Sequence, residues 1–202
     1  MAKPNWLNIT PQQGSGNGTI ANSAAAHTGR VARTGTVTVT GVGVATPATY
    51  RVTQEPKAEF VSVDNGAEMS AAKEAGKVTV TGKSNSSKLT FSWTGDSHNV
   101  VMPTSYKAGG ITTTNGTAVA DDPGATAEFS FSIEFDFPVN DTTGEVTRTL
   151  TITANGGQAS QIAIVQAAGD ARLSVSPKEI TIPQEGTAVS VSVTSNTSWS
   201  VS

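Results

Sequence analysis

Apolar residues alternate with Thr, Ser and Lys along most of the chain, with the two-residue period of a strand that has one buried and one solvated face. The clearest run is residues 129–137, FSFSIEFDF, which places four Phe and one Ile on one face. Shorter alternating runs at residues 35–40, 78–80 and 89–93 are separated by turn-forming Gly, Asn and Ser. The pattern predicts an all-β protein, in which residues 67–75 are the one candidate for a helical turn.

The alternating runs belong to an internal repeat. The segment TGRVARTGTVTV matches TGEVTRTLTITA, which aligns Arg33 with Arg148. Both segments begin a predicted hairpin, and the hairpins end in Val-Thr-Gln at Gln54 and Val-Gln at Gln166. The chain therefore contains the same structural unit more than once.

A second correspondence pairs VTVTGKSNSSKLTFSW, which ends at Trp93, with VSVTSNTSWSVS, which includes Trp199. The Ser-Asn-x-x-Trp strand, the segment WLNITPQQGSGN from Trp6, the hairpin at Arg33 and the final Gln54 together resemble the BACON domain. This resemblance implies an immunoglobulin-like β-sandwich. The family order is split in this chain, because the Trp199 segment lies near the C-terminus and the Trp6 segment near the N-terminus.

The split predicts three parts. Residues 1–57 form a partial BACON-like domain that lacks its first strands, residues 58–169 form a complete domain, and residues 170–202 hold the first strands of another. The predicted fold is thus tandem immunoglobulin-like β-sandwiches with incomplete terminal domains. Together the two partial domains approach the length of one sandwich, about 100 residues.

Each partial domain is too small to bury the apolar area that a stable fold requires, so we expect one to complete the other. The linker at residues 167–170 reaches at most roughly 14 Å when extended, which favours completion between two copies of the chain. The predicted partner is therefore a second copy, in a homo-oligomer or lattice joined by strand exchange. The side chains predicted at this contact are Leu173, Val175, Ile180, Ile182, Val189, Val191, Val193 and Trp199 on one side and Trp6, Leu7 and Ile9 on the other.

Composition narrows the function classes. A formal net charge of −3 gives no basic surface for nucleic acid or anionic lipid, so neither partner is expected. The absence of cysteine removes disulfides and thiolate metal sites. The sequence has neither a signal-peptide pattern nor a run of about 18 apolar residues, which predicts synthesis in the host cytoplasm without export.

The residues that carry catalytic chemistry form no recognisable motif. His27 and His98 lie in turns without a Ser or carboxylate at a catalytic spacing, so surface roles are favoured. Glu134 and Asp136 share one strand face, about 6.6 Å apart from the strand rise, and paired carboxylates can hydrolyse glycosides. Their neighbours are only Ser and Phe, which makes a solvated strand face the better interpretation.

Two further motifs have structural explanations. Asp121 and Asp122 offer oxygen ligands of the type that calcium binds, but the following Pro-Gly makes a turn the simpler explanation. The Gly-rich residues 14–18 lack the helix and Lys of a phosphate loop. The sequence therefore predicts no catalytic, cofactor-binding or metal-binding residue.

The resemblance implies where such a protein acts. BACON-like domains are associated with gut Bacteroidales and their tailed (crAss-like) phages, which implies a virion component. The expected function is an auxiliary or decoration protein on the capsid surface, with the major capsid protein as a partner. A carbohydrate-binding or mucin-binding adhesion module is the alternative, and an enzyme ranks last. Binding to a glycan array would favour the adhesion module, whereas co-purification with capsids would favour the structural protein.

Overall fold

A computed structural model describes residues 3–202 of the chain. Within these residues there are fifteen β-strands, one short 3₁₀ turn at Pro123–Ala125 and no α-helix. The all-β fold predicted from the alternating pattern is confirmed. The strands are β1 (Leu7–Thr10), β2 (Ala21–Ala24), β3 (Arg33–Val39), β4 (Ala48–Gln54), β5 (Val61–Val63), β6 (Glu68–Ala71), β7 (Gly76–Ser84), β8 (Leu89–Thr94), β9 (Ser105–Ala108), β10 (Ile111–Thr114), β11 (Phe129–Phe137), β12 (Val146–Ala154), β13 (Ala159–Gln166), β14 (Leu173–Ser176) and β15 (Ser192–Ser195).

Strands β5–β13 form two sheets packed face to face, which we call the central sandwich. One sheet has the order β10-β9-β11-β7-β5, and the other has the order β6-β13-β12-β8. All neighbouring strands run antiparallel except β6 and β13, which are parallel. The first two strands of the sandwich are therefore short, with β5 in the first sheet and β6 in the second. This arrangement fits an immunoglobulin-like fold.

The core of the central sandwich comes from the inward faces of the longest strands. The four Phe and one Ile of residues 129–137 are buried on one side of β11, as their alternation predicted. They pack against aliphatic side chains of β12 and β13, such as Leu150 and Ile162. Phe91 adds an edge-on contact to Phe131, with ring centroids 5.7 Å apart. This layer of aromatic and aliphatic side chains stabilises the domain without any disulfide.

The strands on either side of the central sandwich form smaller sheets. In residues 3–57, the N-terminal unit, β1 pairs with β2 and β3 pairs with β4, which gives two separate two-stranded sheets. In residues 170–202, the C-terminal segment, β14 pairs with β15. No other strand of the described residues joins these three pairs. The exact domain boundaries stay predictions.

Two expectations about local structure are wrong. Residues 67–75 do not form a helical turn, because residues 68–71 instead pair with β13 as strand β6 and place Met69 against the core. Residues 180–182 and 189–191 were expected to be strands but are irregular in the structure. These two segments have no neighbouring strand to which their backbone groups could bond, and an isolated strand is not stable in water.

Candidate assembly site

The N-terminal unit has an open interior. Leu7 of β1 is 1% exposed and Val37 of β3 is also buried, so each of the two small sheets contributes a buried apolar side chain. Beside it lies a groove of about 230 Å³ lined in part by Ile9, Ile20 and Val39. Ile20 and Val39 are exposed there. The unit therefore resembles a sandwich from which part of the core wall is missing.

A polar cluster holds the outer end of this unit together. The Nε of Arg33 donates a 2.9 Å hydrogen bond to Oε1 of Gln54, and the Gln54 amide donates to the carbonyl oxygen of Ala25. The guanidinium of Arg33 also lies over the Trp6 ring, 4.8 Å from its centroid. A cation over an aromatic face is attracted by the ring quadrupole. The cluster thus joins β3 and β4 to the residues just before β1.

The central sandwich contains the same cluster at the aligned positions. Arg148 donates to Oε1 of Gln166 at 3.0 Å and to the carbonyl oxygen of Ser97 at 2.9 Å, and it lies 4.7 Å from the Phe137 ring centroid. Burial lowers the pKa of Arg148, and the nearby Asp96 carboxylate opposes that shift. Since both partners of each Arg–Gln pair recur, β3 and β4 correspond to β12 and β13.

The aromatic partner of the arginine was missed in the sequence because it comes from a different element. Trp6 precedes β1, whereas Phe137 ends β11. Trp6 and Phe137 do not align with each other in the sequence. They are equivalent only because each ring lies against one of the two aligned arginines. Phe137 therefore has the place beside Arg148 that Trp6 has beside Arg33.

A Ser–Asn pair fastens the N-terminal unit to the central sandwich. The buried Asn85 donates from Nδ2 to the carbonyl oxygens of Thr28 and Ala58, both at 3.2 Å, and its Oδ1 accepts from the Phe60 backbone N–H at 2.9 Å. The Ser84 hydroxyl donates to the carbonyl oxygen of Phe60 at 2.7 Å. One side-chain amide thereby holds the β2–β3 loop of the N-terminal unit against the residues that lead into β5. We call this arrangement the Ser–Asn clasp.

The clasp occurs again between the central sandwich and the C-terminal segment. The Asn196 amide donates to the carbonyl oxygens of Asp141 at 2.6 Å and Asp170 at 2.9 Å, and Oδ1 accepts from the Arg172 N–H at 2.7 Å. The Ser195 hydroxyl donates to the carbonyl oxygen of Arg172 at 3.0 Å. Partner by partner, β14 and β15 therefore reproduce the start of a new sandwich, with β14 in the place of β5 and β15 in the place of the end of β7.

The first joint has additional contacts. Arg30 forms a bidentate ion pair with Asp122, and this hydrogen bond raises the pKa of Arg30. The Arg30 backbone N–H also donates to the carbonyl oxygen of Gly124 at 3.0 Å. Gly29 lies so close to the backbone of Thr126 that a Cβ would collide with it. The Asp-Asp-Pro-Gly segment, residues 121–124, is thus part of the joint between the two units. This role is compatible with the predicted turn.

Replacing Asn85 by Ala tests the clasp. The substitution leaves the Phe60 N–H and three carbonyl oxygens without their side-chain partner, and we expect a loss of about 1–3 kcal/mol in the free energy of unfolding. Chemical denaturation measures it. The matched control is Asn22→Ala, because Asn22 is exposed and bonds mainly to Tyr50; a change of at most about 0.5 kcal/mol is expected there. Equal effects of the two substitutions would contradict a role for the clasp.

Comparison with the central sandwich identifies which strands the N-terminal unit lacks. In the sandwich, β11 pairs with β7, β12 pairs with β8, and β13 pairs with β6. β2 comes before the Thr28 loop and β3, as β11 comes before the Asp141 loop and β12, so β2 corresponds to β11. The corresponding edges of β2, β3 and β4 have no strand beside them within residues 3–202. The missing strands are thus those at the start of a sandwich, and the C-terminal segment contains the start of a sandwich.

The structure places the predicted contact residues in two different environments. In the N-terminal unit, Leu7 lies inside the small core, while Trp6 and Ile9 are half-buried. In the C-terminal segment, Val193 is half-buried and the other seven side chains are exposed. Trp199 lies outside any strand of the single chain and is 53% exposed. Within residues 3–202, no strand of the C-terminal segment pairs with a strand of the N-terminal unit, and a contact between copies stays a prediction.

The candidate catalytic side chains have ordinary surroundings. Lys77 forms ion pairs with both Glu134 and Asp136 on a solvated strand face. The His27 ring nitrogen Nε2 lies 2.7 Å from the carbonyl oxygen of Val31. Across residues 3–202, no three His, Asp or Glu side chains come together as a metal site. In the same range, no helix combines the length and apolar composition needed to cross a membrane.

Comparisons with known proteins agree with the motif analysis. Residues 2–55 match the family described as the viral BACON domain, so the N-terminal part of the chain is BACON-like, as predicted. The comparison with curated proteins gave no match. Among solved structures, an endo-fucoidan hydrolase from glycoside hydrolase family 107 aligns with 83% of this chain at 15% identity and a TM-score of 0.31. The chain spans about a fifth of that protein, at 22% of its length.

Proposed function

We propose that this protein is a non-enzymatic structural component of a virion, whose copies are linked by strand exchange. The C-terminal segment of one copy completes the sandwich that the N-terminal unit of the next copy begins. The observation that carries the proposal is the complementarity of the two ends. The N-terminal unit has the last strands of a sandwich with free edges, and the C-terminal segment has the first strands with exposed apolar side chains.

The pairing inside the central sandwich indicates where each exchanged strand would lie. Residues 189–195 take the position of β7 beside β2, and residues 199–202 take the position of β8 beside β3. Residues 180–182 take the position of β6, parallel to β4. β14 then remains beside β15, as β5 lies beside β7. Every free edge described in the N-terminal unit receives a strand in this arrangement.

Side-chain burial supplies the driving force. Through the Ser–Asn alignment, Val189 corresponds to Val78 and Val191 to Val80, and both counterparts are buried in the central sandwich. Burying one exposed valine contributes about 1.5–3 kcal/mol. Backbone hydrogen bonds along the new strands add affinity, and alternating side chains add specificity. Strand exchange therefore buries apolar surface that is exposed at both ends of the chain.

A substitution on one face of the exchanged strand tests this pairing. Val191→Asp places a carboxylate where Val80 is fully buried in the central sandwich, and we expect association to weaken by more than about 100-fold. Ser190→Asp is the matched control, since Ser190 corresponds to the outward-facing Thr79. Analytical ultracentrifugation over a concentration series measures both. Equal association of the two variants would contradict the proposed register.

The proposed location is the capsid surface, where the protein acts as an auxiliary or decoration protein and binds the major capsid protein. The match to the viral form of the BACON domain supports a virion role. Co-purification with assembled capsids at a fixed stoichiometry is the expected result. A protein that stays monomeric and does not bind capsids would overturn the proposal.

Carbohydrate binding is a second candidate, favoured by one observation. The Trp199 ring is exposed next to an open depression lined by Thr143 and residues 195–198, whose hydroxyl and amide groups suit a glycan. Strand exchange would use the same tryptophan in a protein contact. Binding of the full chain to a mucin or glycan array, lost in Trp199→Ala, would favour this candidate.

A further inference from the structure

The tip of the β3–β4 hairpin projects two valines into solvent. Val42 is 108% exposed and Val44 is 60% exposed. The tip, residues 41–47, reads GVGVATP and has no charged residue. Its one backbone hydrogen bond joins Val44 to Gly41, within the tip itself. Single exposed apolar residues are common on protein surfaces, but two on one uncharged projection indicate a contact surface.

The corresponding tip of the central sandwich shows where such a hairpin ends. Residues 155–158 connect β12 and β13, and the Asn155 N–H donates to Oγ of Ser86 at 2.9 Å. Ser86 follows directly after Asn85 of the first clasp. The tip of the last hairpin of a sandwich therefore lies against the clasp of that same sandwich.

The second clasp has an equivalent surface. Thr197 follows Asn196, and its N–H donates to Oγ of Ser195 at 3.1 Å, as the Ser86 N–H donates to Oγ of Ser84 at 2.9 Å. Around Thr197 lies an open depression of about 750 Å³ without a charged side chain. It is lined by Thr143, Ser195, Asn196, Thr197, Ser198 and Trp199.

The two hairpin tips differ in length. Eight residues, 40–47, connect β3 to β4, whereas four residues, 155–158, connect β12 to β13. In an exchanged sandwich, the longer tip at residues 40–47 would extend past the Asn196 clasp toward the central sandwich that precedes this clasp in the chain. In the C-terminal joint, that domain contributes Thr143 to the depression. The extra length therefore directs the two valines toward Thr143 and Trp199 of another copy.

We propose that residues 41–47 of one copy dock into the Thr197 depression of its neighbour. The inference rests on the proposed strand exchange and adds a contact centred on residues 196–198, which lie between two of the exchanged strands. It joins the N-terminal unit of one copy to the central sandwich of the other as well as to the C-terminal segment. Because neither surface carries a charge, docking buries Val42 and Val44 without desolvating an ion.

Cysteine cross-linking tests the contact, because the chain contains no native cysteine. Val42→Cys and Thr197→Cys are introduced into separate full-length preparations, which are mixed under oxidising conditions. We expect a disulfide-linked pair of chains, seen by non-reducing electrophoresis. The control mixes Val42→Cys with Thr79→Cys, whose side chain lies on the outer face of the central sandwich. This control pair is expected to give at least about tenfold less product.

Three results are distinguishable. Selective cross-linking at position 197 supports the docked tip. Association of the full chain without cross-linking at position 197 overturns the docking, while strand exchange stands. A full chain that stays monomeric and forms no cross-link overturns both proposals.

Discussion

Removal of residues 170–202 is expected to abolish association of the chain. The deletion takes away β14, β15 and every residue proposed to pair with β2, β3 and β4, so the free edges of the N-terminal unit lose their partner strands. Light scattering of the full chain and of residues 1–169 measures the mass of each. We expect an oligomer for the former and a monomer for the latter.

A peptide of residues 170–202 gives the complementary measurement. Added to the shortened chain, it should bind with one peptide per chain, because it carries the strands that the deletion removed. A peptide with Val191→Asp is the matched control and is expected to bind at least about 100-fold more weakly. Unchanged association of the shortened chain would rule out strand exchange, since no donor strand would remain.

Replacing Phe135 by Ala is expected to lower the free energy of unfolding of the central sandwich by about 3–5 kcal/mol. The Phe135 side chain is fully buried in the C-terminal half of β11. Its ring centroid lies 4.9 Å from Trp93 and 6.5 Å from Phe137, so the substitution removes two aromatic contacts and leaves a cavity. Urea denaturation, followed through tryptophan fluorescence, measures the change.

The control for this substitution lies on the same strand. Ser130 is exposed on the opposite face of β11, and Ser130→Ala should change the free energy of unfolding by no more than about 0.5 kcal/mol. A small loss for Phe135→Ala would mean that β11 is not the centre of the core. Because the central sandwich has its own core, neither variant should alter the pairing between copies.

The sequence predicted the elements whose residues alternate over a long run. Residues 129–137 became β11 with every apolar side chain inward, since both neighbouring strands and the opposite sheet lie within the same domain. The same alternation at residues 189–191 did not produce a strand. An alternating pattern indicates which face of a segment is apolar. A strand also needs a neighbouring strand to which its backbone groups can bond, and residues 189–191 have none within one chain.

The joint between units was harder to predict. Asn85 and Asn196 align in the sequence, but their partners are backbone groups of Thr28, Ala58, Asp141 and Asp170, which carry no recognisable motif. Backbone hydrogen bonding depends on how loops approach each other rather than on residue type. The aligned Ser-Asn pairs were a usable signal, because a repeated polar pair next to a strand end is typical of a side chain that bonds to neighbouring loops.

The recurrence of the Ser–Asn clasp has a geometric consequence for the assembly. Under strand exchange, successive sandwiches alternate between a central domain from one copy and an exchanged domain from two copies, and the same clasp joins each to the next. The exact repeat of the row is then one polypeptide, which spans two sandwiches, while the shared clasp makes each step from one sandwich to the next an approximate repeat of half that length. A single rotation per step decides whether the row of domains closes as a ring or continues as a helix.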